Sequence, residues 1–281
     1  MSVIRQLKNW FTKQNIYPRT VEQAIYDSNG RRLDNKLENG IANPNILINS
    51  GFGNFVNQRG YVSGTRIVHD YSIDRWKTLG ILNLRDDYVT LNSTEIDSGE
   101  TGSGETLGYI VQRIEFPQEF RNKTVTLSLR YKTDDVDCYL GLHTIESGTG
   151  RVRVYFVNLP TTNGAWKTYS ATIQCEDIDY DSFEYCVYIG NILEELNAWY
   201  DYNSPLSVKK ETTIDIMWAK LEDGNVPTPY KPRLYAEKLA LCRRYFRYGS
   251  TDTQSMYDFP MRVTPTITSV STGKYSYDAE L

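Results

Sequence analysis

Three groups of residues have the types and spacing to do chemistry. The first is a single stretch, Trp199-Tyr200-Asp201-Tyr202-Asn203, inside the acidic and aromatic loop Leu193–Pro205. Aromatic faces stack on the C–H faces of sugar rings, while nearby carboxylates and amides bind hydroxyls. Trp199, Tyr200, Asp201 and Tyr202 are therefore the candidate ligand-binding residues, on the kind of loop where function collects. The same residues could instead form a subunit contact, or Trp199 could tuck into the chain's own core. The second group is the carboxylates Asp134, Asp135, Asp137, Glu194, Glu195 and Asp201. Glycoside cleavage needs two carboxylates about 5–10 Å apart across a sugar cleft. An acidic surface supplies such pairs by chance, so none is assigned a catalytic role. The third group is the histidines, of which there are only two, His69 and His143.

Most other chemistries lack their motif. A Ser–His–Asp triad is arithmetically possible, but no G-x-S-x-G elbow is present. There is no H-E-x-x-H, no P-loop and no G-x-G-x-x-G. The glycine-rich run from Gly99 to Gly104 has no following Lys-Ser/Thr. Glu95, Asp97, Glu100 and Glu105 flank the Ser98–Gly108 loop without a calcium-ligand pattern. Cys138, Cys175, Cys186 and Cys242 form no C-x-x-C pair, which argues against zinc and for free buried thiols. The sequence calls for no metal and no cofactor, and it reads as a non-enzyme.

Charge and hydropathy exclude more. The net charge is −4 and the cations are scattered, with only small clusters such as Lys209-Lys210 and Arg243-Arg244. A nucleic-acid groove needs a concentrated basic surface. No apolar run approaches the roughly 20 residues of a membrane span. The N-terminus has no apolar h-region of a secretory signal, so synthesis in a host cytoplasm is expected.

The elements that must position these groups are mainly strands. At 281 residues the chain can bury a sizeable core. Tyrosine is frequent, at 22 against 9 Phe and 5 Trp, and suits half-exposed β surfaces. Strand signals recur at Tyr88–Leu91, Tyr109–Phe116, Val125–Lys132, Cys138–His143, Val152–Val157, Trp166–Cys175, Tyr185–Ile189 and Thr212–Leu221. Val125, Leu127, Leu129 and Tyr131 share a face, and Ile214, Ile216 and Trp218 alternate as another. Trp76 and Trp166 read as core. No helix-length pattern interrupts residues 60–210, which excludes repeated βαβ units. Proline-stiffened chain through Pro227, Pro229 and Pro232 leads to a helix over Leu234–Phe246, with Tyr235, Leu239, Cys242 and Phe246 as its stripe. At the other end, residues 2–14 read as a short amphipathic helix carrying Ile4, Leu7 and Phe11. Leu33, Leu37 and Ile41 repeat every four residues, with Gly40 as a helix stop, a stripe that invites association with copies of itself.

Three stretches carry a resemblance. "AIYDSNGRRLDNKLENG" at 24–40, "NILINSGF…NQRG…YSIDRW" at 45–76 and "DIMWAKLEDG…TPYKPR…LYAEKLALCRRYF…DFPMRVTPTIT" at 215–268 resemble segments of bacteriophage fibre and minor virion proteins. That resemblance implies an outward-displayed β-sandwich, patterned like carbohydrate-binding jelly rolls, behind a trimeric N-terminal stalk.

The expected fold is mainly β: a jelly-roll-like antiparallel β-sandwich, an N-terminal helical stalk, and a short C-terminal helix followed by one or two strands. The expected divisions are 1–43 for attachment and oligomerisation through Ile4, Leu7, Phe11, Leu33, Leu37 and Ile41, 44–232 for the sandwich, and 233–281 for the helix and final β segment. The expected role is a structural fibre protein on the outer surface of a phage particle. Its partners would be two further copies, other virion proteins through the N-terminus, and a host-surface glycan, with neither nucleic acid nor membrane insertion. A purely architectural adaptor without ligand, or a polysaccharide depolymerase component, are the alternatives.

Overall fold

The computed structural model describes residues 43–96, 105–190, 211–250 and 260–280. Residues Pro44–Leu281 make up one unit, and the description concerns that unit alone. The expected attachment residues Ile4, Leu7, Phe11, Leu33, Leu37 and Ile41, and the expected ligand residues Trp199, Tyr200, Asp201 and Tyr202, lie outside the described residues.

The strands run β1 (Arg66–Tyr71), β2 (Lys77–Leu84), β3 (Val89–Asn92), β4 (Thr94–Ile96), β5 (Glu105–Arg113), β6 (Thr124–Lys132), β7 (Cys138–Glu146), β8 (Val152–Asn158), β9 (Lys167–Gln174), β10 (Tyr180–Gly190) and β11 (Thr213–Asp223). All pair antiparallel, in the order β8-β7-β10-β5-β2-β3-β11-β6-β9, with β1 beside β2 and β4 beside β5. One strand joins two faces of this order. Lys77 to Leu79 of β2 pair with β5, whereas Ile81 to Leu84 pair with β3. Gly80 sits at the switch with φ +117°, and a Cβ there would lie 2.5 Å from the Asn92 carbonyl oxygen. Only glycine allows that bend and that approach. The result is a sandwich: a first sheet, β8-β7-β10-β5 with the start of β2, faces a second, the end of β2 with β3-β11-β6-β9.

The core lies between them because each strand alternates. Val125, Leu127, Leu129 and Tyr131 of β6 all point inward, as do Phe183, Tyr185, Val187 and Ile189 of β10. Tyr185 crosses the gap to donate to the Ser128 carbonyl, 3.0 Å away. Its buried hydroxyl is thus satisfied, as burial of a polar group requires. Trp76 is fully buried, as expected, and donates from Nε1 to the Asn49 carbonyl at 2.9 Å. None of the four cysteines is in a disulfide, and all four are buried.

The expected face of β11 is corrected by a bulge. The register against β6 slips between Ile216 and Trp218, and the Met217 carbonyl bonds Phe52 N instead. Ile214 and Ile216 face the core, but the extra residue rotates Trp218 outward, and Ala219 and Leu221 continue the core face. The next outward residues, Lys220 and Glu222, are 1% and 0% exposed. They form a 2.9 Å ion pair under Thr228 and Pro229, whose carbonyls accept from Lys220.

The helix α1 spans Tyr235–Arg243, shorter than expected, because Phe246 already belongs to β12 (Phe246–Gly249) and pairs with Asp278. Tyr235 is exposed, and Lys238 and Cys242, one turn apart, are the buried residues of the helix. β12 joins β13 (Thr266–Ser271) and β14 (Lys274–Asp278) in a three-stranded sheet, ordered β12-β14-β13. That sheet is fastened to the sandwich by charge. Arg75 donates to Glu280 and to the Arg113 carbonyl, and its guanidinium lies 3.6 Å from the Tyr245 ring centroid.

Candidate functional site

The outer faces of the two sheets differ in chemistry. On the second sheet the register brings hydroxyls together, Thr126 opposite Thr172 and Ser128 opposite Ser170, the latter pair 2.8 Å apart. On the first sheet the outward residues are apolar and aromatic. Leu79, Tyr109, Val111 and Cys186 form a second buried cluster there, with Leu107, Phe156 and Tyr188 packed against it.

The register sets these residues in rows across the strands. Tyr188 stands opposite Tyr109 of β5 and Tyr139 of β7. One step along, Cys186 stands opposite Val111 and Gly141. One further step brings Glu184 between Arg113 and His143. The middle row has no large side chain on β10 or β7, and Phe156 of β8 uses that space. It leans over Gly141, where a Cβ would lie 2.1 Å from its ring. Its centroid comes to 4.9 Å from that of Tyr188.

A continuous ribbon of rings results. Phe156 meets Tyr188, Tyr188 meets Tyr109 at 5.2 Å, and Tyr109 meets His69 of β1 at 5.7 Å, each pair tilted by 41–49°. Tilted contacts of this kind suit ring quadrupoles better than flat stacking. The ribbon crosses from β8 to β1, on the order of 20 Å at the usual strand spacing. Tyr109 and Tyr139 are buried, Phe156 and Tyr188 are half-buried and His69 is exposed. The His69 Nδ1 lies 2.5 Å from the Tyr109 hydroxyl.

A polar row runs alongside. His143 Nδ1 is 3.2 Å from Glu184 Oε2, and Ser182 donates to Glu184 Oε1 at 3.3 Å. Burial pushes the Glu184 carboxyl up, but His143 beside it and the Arg113 charge outweigh that, and its pKa stays below the usual range. The Cys186 thiol beneath is pushed well up by burial and is no nucleophile. The serine here bonds the carboxylate and not the imidazole, so Ser182, Glu184 and His143 are not ordered as a hydrolytic triad.

Of the carboxylates singled out in the sequence, Asp134 and Asp135 are otherwise employed. Asp134 accepts from Gly164 N at 2.9 Å and Asp135 from Thr213 N at 2.8 Å. Both hold the turn after β6 against neighbouring chain. The Asp137 carbonyl accepts from Gly190 N. Glu194, Glu195 and Asp201 lie outside the described residues. Trp166, expected in the core, is instead half-buried on the outside of the second sheet. It meets Tyr88 edge-on at 5.3 Å, above Lys132, which is paired with Asp215 at 2.8 Å. Lys132 explains the departure: its charge sits 5.4 Å from the Trp166 centroid and would not survive in the core.

Sequence reasoning missed the ribbon. Its one signal was that the stretch YCVYI of β10 (Tyr185–Ile189) is apolar or aromatic at both odd and even positions. A strand with that pattern has something to cover or bind on its second face.

No protein-family model and no curated protein matches the chain. Among solved structures it is similar to one described as "CBM4 structure and function", at 16% identity and TM-score 0.35, covering 54% of this chain and 88% of that one. It is similar to TmCBM61 in complex with β-1,4-galactotriose, at 14% identity and TM-score 0.33, covering 64% and 99%. It is also similar to the enzymatically active domain of bacteriophage CBA120 tailspike protein 4, at 12% identity and TM-score 0.32, covering 63% of this chain and 23% of that one.

Proposed function

We propose that the chain is a glycan-binding structural protein of a bacteriophage particle, and that the outer face of the first sheet is its binding face. The observation that carries the binding half is the ribbon Phe156–Tyr188–Tyr109–His69 beside the polar row Arg113–Glu184–His143. Half-buried rings give a sugar apolar faces to lie on, and the adjacent row supplies donors and a carboxylate for its hydroxyls. A few polar groups placed beside an apolar surface fix a ligand's orientation and give specificity. The phage half rests on the sequence resemblance at 24–40, 45–76 and 215–268. In this reading residues 1–43 anchor the chain to other virion proteins and trimerise it, and the sandwich faces the host. Repetition on three chains turns weak single contacts into avidity.

The test is titration of bacterial surface polysaccharide and a panel of oligosaccharides, read by calorimetry, against the chain and its Tyr188→Ala and Phe156→Ala variants. Saturable binding that falls at least tenfold in both variants, with melting curves retained, supports the reading. Equal binding by the variants, or no binding by the parent, overturns it and leaves an architectural protein. Light scattering on the full chain and on a chain beginning at Pro44 tests the stalk: a trimer that becomes a monomer is expected.

A further inference from the structure

The only two histidines in the sequence, His69 and His143, lie on the same sheet face, His69 at one end of the ribbon and His143 in the polar row beside it. His69 is held there by backbone strain. It has φ +54°, a left-handed conformation that a non-glycine residue avoids, within the irregularity of β1 between Ile67 and Asp70. Strain of this kind persists where the surroundings impose it, and it collects at binding sites. His69 is exposed, and its Nδ1 reaches the Tyr109 hydroxyl.

The charges on this face run against the charge of the chain. Lys77 stands opposite Val111, and Arg113 opposite Glu184. Among the described residues neither has a carboxylate within ion-pair distance. Glu184 is the one carboxylate that the described side chains of these rows present. Among the described side chains, these rows thus carry two permanent cations against one anion, in a chain of net charge −4.

We propose that this face takes an anionic glycan, one bearing carboxylates or phosphates, and that protonation of His69 tightens the grip. The inference rests on the glycan-binding reading and adds the ligand's charge and the direction of its pH dependence. The groups facing each imidazole are few. His69 meets Lys77 of β2 and the Tyr109 hydroxyl of β5, while Asp70 beside it accepts from Tyr71 N. His143 meets Glu184 of β10, with Arg113 of β5 beyond, and apolar Val154 of β8 on its other side. Arg153, next to Val154, pairs with Glu146 and Glu176. Burial and the Lys77 charge hold the His69 pKa below its ordinary value, so the free protein keeps that imidazole neutral at pH 7. A bound anion favours the charged form, and by linkage acid favours the bound anion.

The experiment is calorimetry on the full chain with three probes, at pH 8 and pH 5.5: a galacturonate tetramer, its methyl-esterified form, and a glycerol-phosphate polymer. The expected result is that an anionic probe binds at least fivefold tighter at pH 5.5. The variant His69→Gln should lose that dependence, and Lys77→Gln should weaken binding at both pH values with the melting curve unchanged. Galacturonate alone marks a uronate site and glycerol phosphate alone a phosphate site; either supports the proposal. Equal binding of the ester and the acid at both pH values overturns the anionic inference and leaves the glycan reading standing. If none of the three binds, the anionic inference fails, and the broader oligosaccharide panel then decides the glycan reading separately.

Discussion

The Trp218 indole and the Tyr230 phenol lie face to face, ring centroids 4.7 Å apart and planes within 4° of parallel. The pair exists because the bulge at Met217 turns Trp218 out of the core, and because the proline-rich chain after Gly224 returns Tyr230 over it. Gly51 pairs with Trp218 in an isolated bridge and lies under the phenol. A Cβ on Gly51 would sit 2.4 Å from the Tyr230 hydroxyl oxygen, but 3.5 Å from the carbon that bears it.

Gly51→Ala should therefore destabilise the sandwich by about 1–3 kcal/mol, the usual range for forced overpacking. The hydroxyl is the end of a rigid, stacked ring and cannot swing aside. Tyr230→Phe removes the single atom in the way. In the double variant the urea midpoint should recover most of the loss, with an unchanged slope. No recovery would mean that the backbone bridge, and not the phenol, requires glycine.

The buried Lys220–Glu222 pair makes a second prediction. Glu222 also accepts from Thr228 N at 2.9 Å, and Lys220 donates to the Thr228 carbonyl at 3.0 Å. Removing one charge leaves the other buried and uncompensated, which costs about 3–5 kcal/mol. Lys220→Met alone and Glu222→Leu alone should each show that loss in urea unfolding. The double variant should be closer to the parent than either, giving a coupling of about 2 kcal/mol or more in the cycle.

These contacts explain what the recurring sequence stretches encode. In "NILINSGF", the Asn45 side chain donates to the Ala219 carbonyl and accepts from Leu221 N, and Asn49 donates to the carbonyls of Val56 and Asp74. In "TPYKPR", Thr228 covers the ion pair, Tyr230 covers Trp218, and Arg233 donates to the carbonyls of Asn45 and Leu47. The motifs that made the fold legible are thus the joints of the sandwich, and their residue types follow from burial. Strand positions were legible too, because Val125 to Tyr131 obey a period of two. The bulge at Met217 was not, since one inserted residue flips a face without altering composition. The ribbon was hidden for a different reason. Its members come from β1, β5, β8 and β10, and only the strand order brings them together.

Acid should stabilise the seam between the sandwich and the C-terminal sheet. Asp74 is 1% exposed and accepts from Gln58 N at 3.0 Å and Gln58 Nε2 at 2.7 Å. Burial outweighs these bonds and raises its pKa from the ordinary 3.8 to about 6. The folded state then binds this proton more tightly than the unfolded state does. Stability from this group is present below pH 4 and declines as pH rises to about 6, by roughly 2–3 kcal/mol. Glu184 has the opposite sign, its folded pKa being lowered, but its stability is lost only below the ordinary carboxylate range. In unfolding free energies measured from pH 4 to 7, the parent should lose roughly 2–3 kcal/mol relative to Asp74→Asn. His69, whose lowered pKa acts in the opposite direction, contributes equally to both proteins and cancels. Identical slopes in the two proteins would rule the carboxyl out as the source.

Gly141 offers the sharpest test of how the ribbon is built. A Cβ there would lie 2.1 Å from the Phe156 ring and 2.1 Å from the Tyr155 carbonyl oxygen. Gly141→Ala must therefore move both the ring and the backbone of β8. The ring contact with Tyr188 should break, and stability should fall by about 1–3 kcal/mol. Adding Phe156→Ala removes the first clash and leaves the second, so the double variant should regain part of the loss but not all. The near-ultraviolet circular dichroism should separate the causes. If it changes in Gly141→Ala as it does in Phe156→Ala, the ring has been displaced from Tyr188. If it stays that of the parent while stability falls, β8 has moved as a whole and carried the ribbon with it.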